Sequence, residues 1–185
     1  MLSRMKYVLR WSRMGNTRQE NIQEHTADVA YIAHALAEIT NRRLGGTVDV
    51  SKCVMLALYH DVPEIITGDL PTPVKYHNEE FRQAYKEVEE EAAKRMLGQL
   101  PEDLRGAYEP YLLPEDCMEK RLCKAADKFS ALIKCLEEEK SGNREFRRAK
   151  EATIKALHDM KIPAVEVFLE EYLPAYELTL DEQEM

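Results

Sequence analysis

Four side chains carry the strongest chemical signal in the sequence: His25, the adjacent pair His60-Asp61, and Asp127. Imidazole nitrogens and carboxylate oxygens suit a borderline divalent ion, and two of each leave positions open for water and a ligand. Each of the four falls within, or at the end of, a stretch with helical periodicity. Donors projecting from neighbouring helices into the interior of a bundle are a natural way to build a metal site. The ordinary fate of a helical histidine is packing or solvent. His34 illustrates it, falling on the opposite helix face from His25, and His77 and His158 stand without comparable partners.

The elements that must position these donors read as helices. From Glu24 to Ile39 the apolar residues Val29, Ile32, Ala33, Leu36 and Ile39 keep a 3.6-residue period, which Gly45-Gly46 ends. Asp49 or Ser51 can cap a second helix, with Val54, Leu56, Ala57 and Leu58, that runs into His60-Asp61. Pro63 lacks an N–H and disfavours a helical Val62, so a break is predicted there, with Glu64 in a new turn beside the doublet. The string TGDLPTPVKY reads as a shaped loop, since Gly68 permits a positive φ and Pro71 and Pro73 hold their predecessors extended. Asn78 can cap a long helix with Phe81, Tyr85, Val88, Ala92 and Met96 on one side. Pro114 opens another, with Met118, Leu122, Ala125, Phe129, Leu132 and Leu136 as its stripe, and shorter helices follow Asn143 and Pro163. No alternating β pattern, internal repeat or low-complexity linker stands out. The expectation is an all-α chain forming a single domain over 1–185.

Composition narrows the function classes. With 44% hydrophobic and 32% charged residues the chain reads as globular, and no apolar run approaches the ~20 residues of a membrane span. The start lacks the continuous apolar stretch of a signal peptide, so a cytoplasmic address is expected. Cys53, Cys117, Cys123 and Cys135 form no CxxC pair and are read as core residues. A net charge of −8 speaks against a nucleic-acid polymer as partner, though not against a small anion held by local cations and a metal. Arg10-Trp11 offers such a cation beside a rigid aromatic face: a guanidinium grips phosphate through parallel hydrogen bonds, and an indole can stack on a sugar or base.

The strings EHTADVA, YHDVPEIITGDLPTPVKY and KAADKFSALIKCLEE, in this order, resemble the HD superfamily of metal-dependent phosphohydrolases and, more narrowly, the bacterial YfbR-like 5′-deoxynucleotidases. The resemblance runs from about Arg10 to the C-terminal segment. It implies an HD-domain helical bundle with a metal site in its interior, held by His25, His60, Asp61 and Asp127, for cobalt, manganese, zinc or a similar divalent ion. It implies that Glu64 is the general acid/base and that Arg10 orients the phosphate. Around the substrate it places Arg10, Trp11, His25, Asp61, Asp69, Leu70, Pro71, Thr72 and Asp127. The implied reaction converts a 2′-deoxyribonucleoside 5′-monophosphate to deoxynucleoside and phosphate, in a homodimer. The rivals are another HD reaction, on a dNTP or a cyclic nucleotide, and a non-catalytic nucleotide or metal sensor. A triphosphate would want more cations than Arg10 supplies, and a sensor needs no Glu64.

Overall fold

The structure, a computed structural model, describes residues 1–75 and 77–183. Tyr76, which ends the TGDLPTPVKY string, and the last two residues of the 1–185 span lie outside the described residues. Helix α1 spans Ile22–Arg43 and starts where Asn21 caps it, its side chain accepting from the N–H groups of Gln23 and Glu24. Such a cap is worth about 1 kcal/mol. The helix stops as expected at the glycine pair. Gly45 takes φ +70°, and Gly46 N–H closes back onto the Thr40 carbonyl at 2.9 Å. That closure satisfies one of the helix's orphan carbonyls.

Helix α2, Val50–Tyr59, is capped by Asp49 through the Lys52 N–H. Its end is the break that Pro63 demands. Val62 N–H bonds Tyr59 O at 3.3 Å and Glu64 N–H bonds Asp61 O at 3.0 Å, a tight turn after which α3 (Glu64–Thr67) begins with Pro63 at its cap. A proline there gives up a hydrogen bond that the first turn would not have made. Gly68, at φ +75°, ends α3 with its N–H on Glu64 O.

The next segments correct several expectations. Part of the predicted loop is a helical turn, α4 (Thr72–Lys75), because the Pro71 carbonyl collects the N–H groups of Val74 and Lys75. Helix α5, Glu79–Gly98, is capped by Asn78 as predicted. It buries only Ala92, Ala93 and Met96, however, while Phe81 and Val88 are 40% and 50% exposed. A further helix, α6 (Glu102–Leu112), had not been read from the sequence; Pro101 starts it, with Glu102 and Asp103 in the first turn where the helix dipole favours acids. Helix α7, Met118–Lys140, begins four residues after Pro114. Cys117 is extended at φ −155°, and the Pro114 carbonyl takes the Lys120 ammonium. Met118, now the first residue of the helix, is exposed at the end of the stripe, while Leu122, Ala125, Phe129, Leu132 and Leu136 are buried. Helices α8 (Arg147–Asp159) and α9 (Pro163–Val167) complete the set.

Helices α1, α2 and α7 pack on one another, with α8 against α7 and α9 against α1 and α8. The main core joins Val29, Ala33 and Leu36 to Cys53, Leu56, Phe129 and Leu132. A smaller cluster of Met5, Ile22, Val62, Met96 and Leu112 seats the turn after α2 against the N-terminal segment, α5 and α6. Among the described residues the extended structure amounts to one isolated bridge, Leu9 with Asn21, and no helix is long and apolar enough to cross a membrane. That bridge closes an arm: Arg10 N–H bonds Glu20 O at 2.9 Å and Ile22 N–H bonds Val8 O at 3.0 Å.

Candidate metal centre

The first turn of α1 carries His25, the end of α2 carries His60 and Asp61, and the middle of α7 carries Asp127. Because these three helices share the main core, their polar positions converge. His25, His60 and Asp61 each offer a donor atom within 4.8 Å of the others, a group that could hold a metal ion. Asp127 joins from α7, its Oδ1 3.1 Å from His25 Nε2, while Asp61 Oδ2 is 3.5 Å from the same nitrogen and Asp61 Oδ1 is 3.1 Å from His60 Nε2.

The far side of each imidazole is already engaged. His60 Nδ1 lies 2.6 Å from the Ala57 carbonyl, so Nδ1 carries the hydrogen in the neutral ring and Nε2 keeps its lone pair. His25 Nδ1 pairs with Ser130 Oγ at 2.9 Å in the fully buried interior. The inward atoms differ: His25 Nε2, His60 Nε2, Asp61 Oδ2 and Glu64 Oε2 are buried without a hydrogen-bond partner. Buried polar atoms are rarely left so. Those of His25, His60 and Asp61 belong to one close group of nitrogen and oxygen donors, which fits a borderline divalent ion.

Charge follows the same geometry. Burial works against ionised Asp61 and Asp127, but His60 and His25 respectively outweigh it and hold both carboxyls below their ordinary range. Burial would lower His60; Asp61, and then Asp127, instead raise it to about 9. Glu64 behaves in the opposite way to the aspartates. Burial, and then the charges of Asp61 and Asp69, push its carboxyl up to about 10. A carboxyl that keeps its proton at neutral pH beside a cluster of ligands is equipped to act as an acid.

Arg10 stands at the edge of the cluster. Its Nη1 is 3.6 Å from Asp61 Oδ2 and its Nε donates to Glu20 Oε2 at 3.2 Å. Burial disfavours its charge, but Asp127, Asp61, Glu20 and Asp69 outweigh burial and fix the guanidinium in its charged form. Trp11 is tied to the same acceptor, its indole N–H donating to Glu20 Oε2 at 2.9 Å, and its ring packs on Phe146 at 5.2 Å. Trp11 also sits at φ +55°, in the left-handed region that a bulky residue avoids. Asp69 is half-buried within the field of Arg10 and Asp61, and burial raises its carboxyl above the ordinary range. Leu70 and Pro71 are half-buried and Thr72 is exposed. Among the described residues no hydrogen bond or ion pair links those three to the cluster. Lys75 is engaged elsewhere, on Glu89 at 2.7 Å.

Sequence reasoning missed Ser130 and Glu20. Ser130 follows Asp127 by one helical turn, a spacing that puts both on one face and that could have found it. Glu20 lies in an irregular arm, where no period reports on neighbours.

A family model described as 5′-deoxynucleotidase YfbR-like matches residues 1–176. A 5′-deoxynucleotidase of Vibrio parahaemolyticus is 44% identical over 183 residues, which cover 98% of this chain and 94% of that one. The 5′-deoxynucleotidase YfbR of Escherichia coli is 45% identical over 187 residues, covering 98% and 92%. Among solved structures, an HD-domain phosphohydrolase from Listeria innocua shares the fold with a TM-score of 0.85 at 24% identity, covering 100% of this chain and 90% of that one. The all-α HD-domain bundle expected from the motifs is therefore the fold observed.

Proposed function

The chain belongs to the YfbR-like 5′-deoxynucleotidase family, and from that premise we propose that it hydrolyses 2′-deoxyribonucleoside 5′-monophosphates to deoxynucleoside and phosphate. The observation that carries the reading is the close group of unpartnered buried atoms on His25, His60 and Asp61, with the Arg10 cation at its edge. His25, His60, Asp61 and Asp127 would hold a divalent ion such as cobalt, manganese or zinc. When bound, it supplies Lewis acidity, lowering the pKa of water towards neutrality and neutralising phosphate charge.

The chain's own residues do the rest. Arg10, steadied by Glu20 and Asp61, turns an always-charged guanidinium to the remaining phosphate oxygens and screens them from the incoming water. As water adds to phosphorus and the bond to the 5′-oxygen breaks, that oxygen needs a proton. Glu64, its carboxyl pushed up by burial and by the charges of Asp61 and Asp69, would give it. The 5′-phosphate cannot report whether the sugar carries a 2′-OH, so selection rests on how closely a wall approaches C2′. Trp11, locked by Glu20 and Phe146, has the stiffness for that wall, with Asp69, Leu70, Pro71 and Thr72 on the other side of the sugar. A homodimer, implied by the family resemblance, a cytoplasmic address and a single HD domain over 1–185 belong to the same reading.

The test is phosphate release from dAMP and AMP by metal-loaded protein. Cleavage of dAMP is expected with marked preference over AMP, and none after chelation. Equal kcat/KM for the two substrates would leave a general nucleotidase. Full activity in chelator-treated protein would end the metal reading.

A further inference from the structure

A second buried polar network lies away from the metal-ligand cluster and grips the arm that carries Arg10 and Trp11. Its centre is the pair Glu138 and Lys134, 1% and 5% exposed, one turn apart on α7 and joined at 2.5 Å. Glu138 accepts the Thr17 N–H at 2.9 Å, the Arg18 N–H at 3.4 Å and the Asn143 side-chain amide at 2.8 Å. Lys134 donates to the Arg18 carbonyl at 2.7 Å. Further out, Asn143 donates to the Gly15 carbonyl at 2.6 Å and the Gly15 N–H donates to Glu145 at 2.9 Å.

Apart from the Thr17 side chain, the partners on the arm's side are backbone groups, so the contact specifies the arm's path more than its side chains. A buried ion pair is weak evidence for stability, since apolar side chains of similar volume often serve as well. What apolar side chains could not do is accept the backbone N–H groups of Thr17 and Arg18. The held segment is continuous with the substrate groups. Asn16 bonds the Trp11 carbonyl at 3.0 Å, Glu20 bonds both Arg10 and Trp11, and the Lys134 ammonium lies 6.0 Å from the Phe146 ring on which Trp11 packs. The positive φ of Trp11 fits this picture, because such a conformation persists only where its surroundings over-determine it.

We propose that Glu138, braced by Lys134, is a positioning residue: it fixes the path of the 15–18 segment and thereby seats Arg10 and Trp11 at the mouth of the metal-ligand cluster. The proposal rests on the reading of those two residues as substrate groups, and its test separates the two. Trp11 is the sole tryptophan, so intrinsic fluorescence reports the arm directly and without substrate. Glu138→Gln puts an amide where the Thr17 N–H and Lys134 both need an acceptor. The double variant Lys134→Met/Glu138→Leu removes the pair without leaving a lone buried charge, and guards against a single variant that does not fold.

In either folded variant the Trp11 emission is expected to shift to the red and its quenching by acrylamide to rise, with metal content and helical circular dichroism unchanged. For dAMP, KM should rise and kcat fall together, lowering kcat/KM by on the order of 10²-fold, the cost of misplacing a binding group by about 1 Å. A folded variant with the wild-type spectrum and quenching overturns the proposal. So does one whose spectrum moves while kcat and KM stay at wild-type values. If the wild type releases no phosphate from dAMP, the functional reading falls, and the fluorescence result still decides whether Glu138 holds the arm.

Discussion

Glu64 and Glu138 are both buried glutamates, and their surroundings drive them in opposite directions. Glu64 is 8% exposed, leaves Oε2 without a partner and faces Asp61 and Asp69; burial, then those charges, push its carboxyl up to about 10. Glu138 is 1% exposed and fully partnered. Burial would raise it too, but Lys134, the Thr17 N–H and Asn143 hold it down to about 2. The same side chain is thus pushed towards keeping its proton in one place and held as a fixed charge in the other. What separates them is whether the fold supplies donors. An unsatisfied buried group costs stability, so unpartnered atoms on His25, His60, Asp61 and Glu64 fit a ligand site, and the full set of donors on Glu138 fits a fixed path of the chain.

The strongest way to break this contrast is to remove the proton from the Glu64 side. Glu64→Gln keeps the size and the neutral state but has no acidic proton to give. Phosphate release should fall by ~10²–10⁴-fold in kcat, the usual contribution of a positioned acid or base. Metal content should stay at the wild-type level. Loss of the metal in this variant would make Glu64 a ligand, and its unpartnered oxygen would then belong with those of His25, His60 and Asp61.

The two glutamates also mark what the sequence could tell. Glu64 was legible as the start of a new turn beside His60-Asp61, because Pro63 breaks the helix there, while its part in proton transfer came from the family resemblance alone. The helices bearing His25 and Asp127 were legible from apolar period alone, since burial of one face selects it. Glu138 was not. One turn from Lys134 in a charged stretch, it reads as half of a solvated ion pair, and only the path of an irregular arm buries it. The same limit shows in α5, where Phe81 and Val88 keep the helical period, yet among the described residues no element buries them. Period reports a face, and tertiary packing decides whether that face is used. The start expected at Pro114 erred more locally, because proline suits a helix start but an extended Cys117 moved that start to Met118.

A smaller effect sharpens the contrast from within the cluster. Its atoms are unsatisfied only on the inward side; outward, His25 Nδ1 is held by Ser130 at 2.9 Å. Ser130→Ala frees the ring to turn and removes the partner that fixes its tautomer. The affinity for metal should drop by roughly 10–100-fold, as it does when such outer partners are lost, and kcat at saturating metal should stay near the wild-type value. An unchanged affinity, measured by competition with a chelator, would mean that packing alone orients His25.

The mildest perturbation is acid, and it addresses the fixed charge of Glu138. Its carboxyl is depressed from 4.5 to about 2. A depressed carboxyl binds fewer protons in the folded state than in the unfolded one, so its contribution to stability is complete above pH 4.5 and is lost as pH falls towards 2. Protonating Glu138 removes the negative partner from the buried Lys134 side chain. Asp61 and Asp127 are depressed as well and add their own acid sensitivity. They do so equally in the wild type and in Glu138→Gln, so they cancel in the difference between the two proteins. That difference in unfolding free energy should be level above about pH 5 and shrink below pH 4.5, with Trp11 emission in the wild type moving towards that of the variant over the same range. A difference that stays constant down to pH 2 would mean that Glu138 holds the arm by shape and hydrogen bonding alone, with no part played by its charge.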